Sequence, residues 1–128
     1  MLRDYETVLK AAADPTRARI LKMLQHEEMC VCQIVATLEL SQSTVSKHLS
    51  LLRAAGLIDE RKDGRWLYVR LSDNAHNAYA PALLDLIRGW LDRDATIRDD
   101  AKRARRIRRI PAADVCEECR SIAAGGRR

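Results

Sequence analysis

The side chains best suited to chemistry in this sequence are its four cysteines, which fall into two closely spaced pairs. One residue separates Cys30 from Cys32, and two residues separate Cys116 from Cys119. Thiolates are the softest ligands that a protein offers, and thiols at such spacings can chelate a soft ion. The same thiols could instead form a permanent tetrahedral zinc site or a redox pair. We therefore predict that all four cysteines are metal ligands, with these two alternatives left open.

The spacing of the first pair matters because the direction of a side chain depends on the local backbone. On a helix, at about 100° per residue, side chains two positions apart diverge by roughly 200°. On an extended chain they point the same way. Cys30 and Cys32 can therefore hold one ion only if the chain there is non-helical or unwinds on binding. Because the pattern from Cys32 to Leu38 predicts a short helix, ligation would distort that helix and displace the one that follows it.

The stretch from Ser41 to Ile58 predicts a capped amphipathic helix. Ser41 is a good N-cap, a buried stripe recurs at helical spacing, and Gly56 suits a left-handed C-cap. The outer face is small, polar or basic and carries no acidic residue, as a recognition helix in a DNA major groove requires. An ordinary surface helix would mix glutamate with lysine there. The residues predicted to contact DNA from this helix are Gln42, Ser43, Thr44, Ser46, Lys47, His48 and Ser50, with His48 at the border of the buried stripe.

The elements on either side complete a DNA-binding unit. The short helix, the turn at 39–41 and the recognition helix form a helix-turn-helix. Residues 57–60 and 66–71 then predict two strands, joined at Asp63-Gly64, a strong hairpin signal. The tip of this hairpin is basic, so it can act as a wing that reaches backbone phosphates or the adjacent minor groove. A merely solvated hairpin would explain the charges but not their placement. The predicted wing contacts are Arg61, Lys62 and Arg65.

Two further regions frame this unit. Residues 5–13 predict a first helix, and Asp14-Pro15 starts a second, mostly buried helix. Residues 75–91 carry an apolar stripe wider than a lone surface helix needs, with Pro81 either starting or kinking the helix. A symmetric partner chain is the expected cover, because a two-fold dimer also matches two half-sites of operator DNA; burial within the monomer is the alternative. The predicted dimer contacts are Tyr79, Leu83, Leu86 and Trp90.

Length and composition bound the class of protein. The chain has 128 residues, of which 47% are hydrophobic and 32% charged, and a net charge of +5, which suits a polyanionic partner. No apolar run could span a membrane and no signal peptide is evident, so we expect a cytoplasmic protein with reduced thiols. A thiol oxidoreductase or arsenate reductase using Cys116 and Cys119 would need a βαβ frame or a phosphate-binding glycine loop, and neither pattern is present. We do not expect an enzyme.

We predict a mainly α fold with a small β-hairpin (α+β): a dimeric winged helix-turn-helix. Residues 1–92 would form the DNA-binding and dimerisation domain, and residues 93–128 a basic helical extension with a cysteine-containing tail. The highly charged stretch 97–110 either continues the preceding helix or forms a separate one, and Pro111 ends it. A solvated basic helix is its ordinary interpretation, and non-specific phosphate affinity is the alternative.

These motifs together resemble the arsenic-repressor (ArsR/SmtB) family of bacterial metal-sensing winged-helix repressors, over about residues 5–92. The resemblance implies a homodimer built from the first and last helices, bound to a palindromic operator and released when an inducer binds. The pair Cys30-Val-Cys32 matches a family site for arsenite or antimonite, and in relatives cadmium or lead. The segments that carry the resemblance are Asp14-Pro-Thr-Arg17 with Arg19-Ile-Leu, Cys30-Val-Cys32, Ser41-Gln-Ser-Thr-Val-Ser-Lys-His-Leu, Leu52-Arg-Ala-Ala-Gly-Leu-Ile58 and Arg61-Lys-Asp-Gly-Arg-Trp-Leu-Tyr68.

The chain departs from the family pattern in its ligands. Arsenic sensors of the best-known kind carry a third cysteine where this chain has Val35, and cadmium and lead sensors use an N-terminal arm whose cysteines are missing here. The family's zinc site on the last helix would have only Asp73 and His76. We therefore expect Cys116 or Cys119, from the same or the partner subunit, to complete a three-sulfur site. Arsenite (As(III)) or Sb(III) is the first choice of inducer, Cd, Pb or Zn the second, and a redox regulator with structural zinc the third.

Overall fold

The computed structural model describes residues 1–73 and 76–115, so the tail cysteines Cys116 and Cys119 lie outside the described residues. The elements within this part confirm a mainly α fold with a small antiparallel sheet. They are α1 (Leu2–Ala13), α2 (Pro15–Leu24), β1 (Met29–Cys30), α3 (Val31–Leu38), α4 (Gln42–Ala54), β2 (Ile58–Asp63), β3 (Trp66–Leu71), α5 (Ala80–Ile87) and α6 (Ala95–Arg108). No helix among the described residues is long and apolar enough to cross a membrane.

The helix boundaries follow the capping residues that the sequence offers. The Asp14 carboxylate accepts the amide of Arg17 at 3.0 Å, and Pro15 begins α2 where its missing N–H costs nothing. Ser41 Oγ accepts the amide of Thr44 at 3.2 Å and caps α4. Gly56 ends that region with φ +77°, and a Cβ there would lie 3.2 Å from the Asn77 backbone and side chain. The predicted left-handed glycine is therefore confirmed, and a larger residue would strain the backbone and require Asn77 to shift.

The sheet has one strand more than the sequence predicted. Its order is β1-β3-β2, all antiparallel, with Cys30 opposite Tyr68 and Arg61 also opposite Tyr68 on the other side. Strand β1 is only two residues long, too short for an alternating pattern to reveal it. The hairpin loop is Gly64-Arg65, because Asp63 already pairs with Trp66. Gly64, at φ +64°, takes the first central position, where two-residue hairpins of the II′ class place glycine.

The core lies around α2, as the buried character of this helix predicted. Ile20 and Leu21 are fully buried, and they share one apolar cluster with Val45 and Leu52 of α4 and Val69 of the sheet. Burial of such side chains contributes roughly 1.5–3 kcal/mol each. The core therefore fixes α4 against α2 while leaving the opposite face of α4 outside.

The long apolar stripe at 75–91 is not one helix. Helix α5 begins at Ala80 with Pro81 in its first turn, which settles the choice between a start and a kink. The chain then turns at Leu91, whose φ is +67°, and the Asp94 carboxylate caps α6 by accepting the amide of Ile97 at 3.1 Å. Helix α6 is thus a separate helix and not a continuation.

Helix α6 is anchored to the rest of the fold by charged groups. Arg19 makes two hydrogen bonds to the buried Asp100, at 2.8 and 2.9 Å. From α6, Arg103 donates to the Thr37 carbonyl at 2.8 Å, and Arg108 donates to two carbonyls just beyond α2 and at its end. Burial lowers the pKa of the Arg108 guanidinium. The expectation of a fully solvated basic helix is therefore wrong for these side chains, while the domain boundary at residue 92 stays a prediction.

Candidate DNA-binding face and thiol site

Cys30 occupies the junction between a strand and a helix. It is the last residue of β1 and the N-cap of α3, with extended backbone angles of φ −67° and ψ 147°. Its amide donates to Gln33 Oε1 at 2.9 Å, and its side chain is buried. Cys32 follows in the first turn of α3 and is half-buried. A non-helical start of the helix, which two-thiol ligation requires, is therefore present at Cys30.

Cys30 and Cys32 both line one cavity of about 510 Å³, called the thiol cavity below. The start of α3 forms one wall, the outer face of α4 a second, and the wing a third. Its polar lining comes from serines and charged residues, and its apolar lining from aliphatic and indole side chains. The lining residues are Cys30, Val31, Cys32, Gln42, Ser46, Leu49, Ser50, Arg53, Glu60, Arg65, Trp66 and Leu67.

The third ligand of a metal site is not found among residues 1–73 and 76–115, which contain no group of three His, Cys, Asp or Glu residues able to hold a metal ion. Val35, at the position of the family's third cysteine, is buried. A ring nitrogen of His76 lies 3.1 Å from the Ala54 carbonyl oxygen, and Asp73 pairs with Arg70 at 3.6 Å. Any third sulfur must therefore come from the tail pair or from another chain.

The outer face of α4 has the character predicted for a DNA reader. Gln42, Ser43, Ser46, Lys47 and Ser50 are exposed, and α4 contains no carboxylate. No negative charge on α4 would therefore repel DNA phosphates from the exposed polar groups at its amino-terminal end. Their contacts with DNA stay predictions.

Four residues of the predicted α4 set make side-chain contacts within the protein, and Ser43 and Ser50 do so with Ser41 and Arg53. Thr44 Oγ1 accepts from the hydroxyl of Ser41 at 2.8 Å and belongs to the helix cap. His48 is half-buried, with Nδ1 at 3.3 Å from an Arg17 guanidinium nitrogen and 4.0 Å from the Asp14 carboxylate. His48 therefore lies against the start of α2, and its predicted DNA contact is untested.

The three basic residues of the wing differ in their surroundings. Arg61 makes two hydrogen bonds to Glu28, with Nε at 3.2 Å from Oε1, and lies 4.7 Å above the centre of the Tyr68 ring. Hydrogen bonding to Arg61 lowers the pKa of the Glu28 carboxyl. Arg65 stacks over Trp66 at 4.6 Å, and Lys62 is exposed. The cation–π contact of Arg65 orients its guanidinium while leaving the edges able to donate to phosphate, whereas Arg61 already donates to Glu28.

One contact between α4 and the wing was not predicted. Arg53 donates to Glu60 at 2.6 Å, and both residues line the thiol cavity. Nothing in the local sequence pattern indicates this pair, because the two residues lie on different elements. It ties the carboxyl end of the recognition helix to β2.

Exposed apolar side chains lie on α1, on α5 and in the residues that flank α5. Leu86 and Trp90 are about half exposed, at 54% and 53%, and Tyr79 is partly exposed, while Leu83 packs partly against the core. The ring of Tyr5 on α1 meets the ring of Tyr79 edge-on, with centroids 6.2 Å apart. Large apolar side chains clustered at the surface are typical of a protein–protein contact.

Comparison with known proteins agrees with this architecture. Residues 14–60 match the family described as "Bacterial regulatory protein, arsR family". The chain is 40% identical over 92 residues to the arsenic resistance transcriptional regulator ArsR1 of Pseudomonas putida, covering 69% of this chain and 72% of that protein. It is 41% identical over 71 residues to a cadmium resistance transcriptional regulatory protein CadC homologue of Staphylococcus aureus, covering 55% of this chain and 59% of that protein.

Among solved structures, the fold is similar to the homodimeric winged helix-turn-helix DNA-binding domain Mb0332 of Mycobacterium bovis. The TM-score is 0.59 at 28% identity, and the match covers 68% of this chain and 77% of that one. The fold and its exposed recognition helix thus define a winged helix-turn-helix transcriptional regulator. The chain belongs to the arsR family of bacterial regulatory proteins, whose members are DNA-binding regulators and not enzymes.

Proposed function

We propose that this protein is a homodimeric, arsenic-responsive repressor, released from operator DNA when trivalent arsenic or antimony binds its cysteine thiolates. The observation that carries the proposal is that Cys30 and Cys32 line one cavity together with the recognition helix. The arsenic resistance regulator of Pseudomonas putida supports the choice of metalloid. A regulator of this kind acts where the DNA is, which supports a cytoplasmic location.

DNA binding would use the outer face of α4 and the wing. The exposed side chains of Gln42, Ser46 and Lys47 are donors and acceptors of the kind that distinguish base edges in the major groove. The cations of the wing would contact phosphates, which fixes position and adds salt dependence without reading sequence.

The dimer would form through the apolar face of α1 and α5. The paired Tyr5 and Tyr79 rings, Leu86 and Trp90 would pack against the same residues of a second chain, as a two-fold interface requires. The homodimeric state of the Mycobacterium bovis domain supports this assignment. Such a dimer would present two recognition helices to two half-sites.

Ligation would proceed by exchange of oxygen for sulfur on arsenous acid, As(OH)3. For each thiol, one As–O bond breaks, one As–S bond forms, and the thiol proton leaves with the hydroxide as water. No electrons are transferred, so arsenic stays trivalent. Three such exchanges fill the pyramidal coordination that As(III) prefers, and Cys30 and Cys32 account for two of them.

The third thiol is proposed to come from the tail of the same subunit. After α6 the chain returns towards α3, where Pro111 and Ala112 border a cavity with Gln33 and Tyr68, the two neighbours of Cys30. Residues 112–115 are helical, and Val115, the residue before Cys116, is buried against the fold. This proximity supports a ligand from the same chain, with the partner's tail as the alternative.

The test is an arsenite titration of reduced protein, followed by ultraviolet absorption of the sulfur–arsenic bond and by anisotropy of labelled operator. Separate Cys→Ser variants at 30, 32, 116 and 119 identify the ligands. We expect Cys30→Ser, Cys32→Ser and one tail variant each to abolish the response while operator binding persists. Release by arsenite that survives Cys30→Ser and Cys32→Ser together would overturn the proposal.

A cadmium, lead or zinc sensor of the same family is the second candidate. The cadmium-resistance relative favours it, and four thiolates suit a larger, tetrahedrally coordinated ion. The same titration, repeated with cadmium, separates the two candidates. If all four cysteines bind cadmium, Cys116→Ser and Cys119→Ser should each abolish cadmium binding, whereas arsenite binding should be lost in only one of these two variants. Zinc bound with no effect on operator affinity would instead indicate a structural site.

A further inference from the structure

The cavity beside the thiols overlaps the face assigned to DNA. Cys30 and Cys32 form one side of it, and Gln42, Ser46 and Ser50 of α4 form another. These three α4 residues are exposed and belong to the set predicted to contact DNA. The thiols therefore lie behind the surface that the DNA would cover, rather than at a distance from it.

The wing closes the cavity on the remaining side. Arg65 and Trp66, stacked on each other, line it from the hairpin loop, and Arg53 pairs with Glu60 between its other two walls. Cys30 is only 1% exposed, and the cavity that it lines offers a reagent a route to it. The same recognition helix and wing would hold the DNA at the mouth of the cavity.

We propose that bound operator DNA shields Cys30 and Cys32, so that inducer and DNA exclude each other through a shared entrance. This rests on the proposed function for the DNA face, but not on arsenite being the inducer. The inducer would then capture the protein after it leaves the DNA, instead of attacking the complex. Mutual exclusion is reciprocal, so the operator lowers inducer affinity by the factor by which the inducer lowers operator affinity.

The first experiment measures alkylation of reduced wild-type protein by N-ethylmaleimide, with the peptide carrying Cys30 and Cys32 quantified by mass spectrometry. The DNA is a duplex that the protein itself selects from a random pool. With the duplex at about ten times its Kd, about a tenth of the protein is free, so labelling should slow about tenfold. An unchanged rate while anisotropy shows the complex would overturn the inference.

Two controls separate shielding from a general effect of DNA. Raising the salt until anisotropy shows no complex should restore the rate measured without DNA. The variant Gln42→Glu places a carboxylate on the DNA face at the first turn of α4, where the helix dipole tolerates it. The duplex should fail to protect the thiols of this variant, and protection without binding would contradict shielding.

The second experiment measures the rate at which labelled duplex leaves the protein. We expect the rate in saturating arsenite to equal the rate in excess unlabelled duplex. A rate that rises with arsenite concentration would show that the inducer reaches the thiols in the complex, and would overturn the inference. If arsenite releases no DNA at all while DNA still protects the thiols, the inducer assignment fails and the shielding stands.

Discussion

Two arginine-rich regions of this molecule, the wing and α6, look alike in composition and behave differently in the fold. The wing holds its cations at the surface, where Arg61 and Arg65 lie over the Tyr68 and Trp66 rings. Helix α6 turns Arg103 and Arg108 inwards, onto carbonyls near the carboxyl ends of α3 and α2. Positive charge next to such carbonyls is favourable because the helix dipole is negative there. A cluster of arginines in the sequence therefore does not by itself indicate a nucleic-acid contact, because the fold can turn some of them inwards.

The largest effect should come from breaking the buried pair that anchors α6. Asp100→Ala leaves Arg19 without its partner, and we expect a loss of about 2 kcal/mol in the free energy of unfolding, because two hydrogen bonds between charged groups are lost while Arg19 keeps 25% of its side chain exposed. Urea denaturation measures it. The matched control is Asp99→Ala, at an exposed position, which should change stability by less than about 0.5 kcal/mol. Equal losses in both variants would mean that the pair does not anchor the helix.

Removing an inward arginine should cost less. Arg103→Ala removes the hydrogen bond to the Thr37 carbonyl, and we expect a loss of about 1 kcal/mol with operator affinity unchanged in the folded protein. Arg106→Ala, on the exposed side of the same helix, is the control and should be nearly neutral. If Arg103→Ala lowers operator affinity and Arg106→Ala does not, the contact of α6 with α3 affects how α4 binds DNA.

The wing should show the opposite pattern, with binding affected and stability retained. Lys62→Ala should weaken operator binding for all sequences and reduce the slope of log K against log salt by about 1, because one phosphate contact is lost. Lys102→Ala, which removes an equally exposed lysine from α6, should leave that slope unchanged. Identical slopes for the two variants would contradict the distinction between the regions.

The smallest effect concerns Glu28, the carboxylate that pairs with Arg61 of the wing. Because Arg61 lowers the pKa of Glu28 in the folded protein, the pair stabilises the fold above the unfolded value of about 4.3. That contribution is lost as the pH falls through the lower folded value. We therefore expect unfolding free energies of wild type and Glu28→Gln to converge below about pH 4. A constant difference between the two at every pH would show that the carboxylate charge does not contribute.

The sequence predicted the elements whose ends are marked by local signals such as capping residues and glycines. Ser41, Pro15 and Gly56 marked helix ends correctly because caps and left-handed positions restrict residue type. The sequence could not reveal β1, which is set by its pairing with β3, or Arg53 with Glu60, which meet only after folding. The inward arginines of α6 were missed for the same reason, since their acceptors lie on α2 and α3. Cys30 and Cys32 were recognisable from spacing, but their position beside the recognition helix was not.

Cys30 belongs to two elements at once, because it ends β1 and caps α3. Its backbone is bonded to the strand that carries Tyr68, and Tyr68 lies beneath Arg61 of the wing. A small displacement of this one residue therefore cannot be confined to a single element. It would shift the first helix of the helix-turn-helix and the hairpin together, so one bond formed at its sulfur would displace both elements proposed to contact DNA and would keep a released protein from binding again.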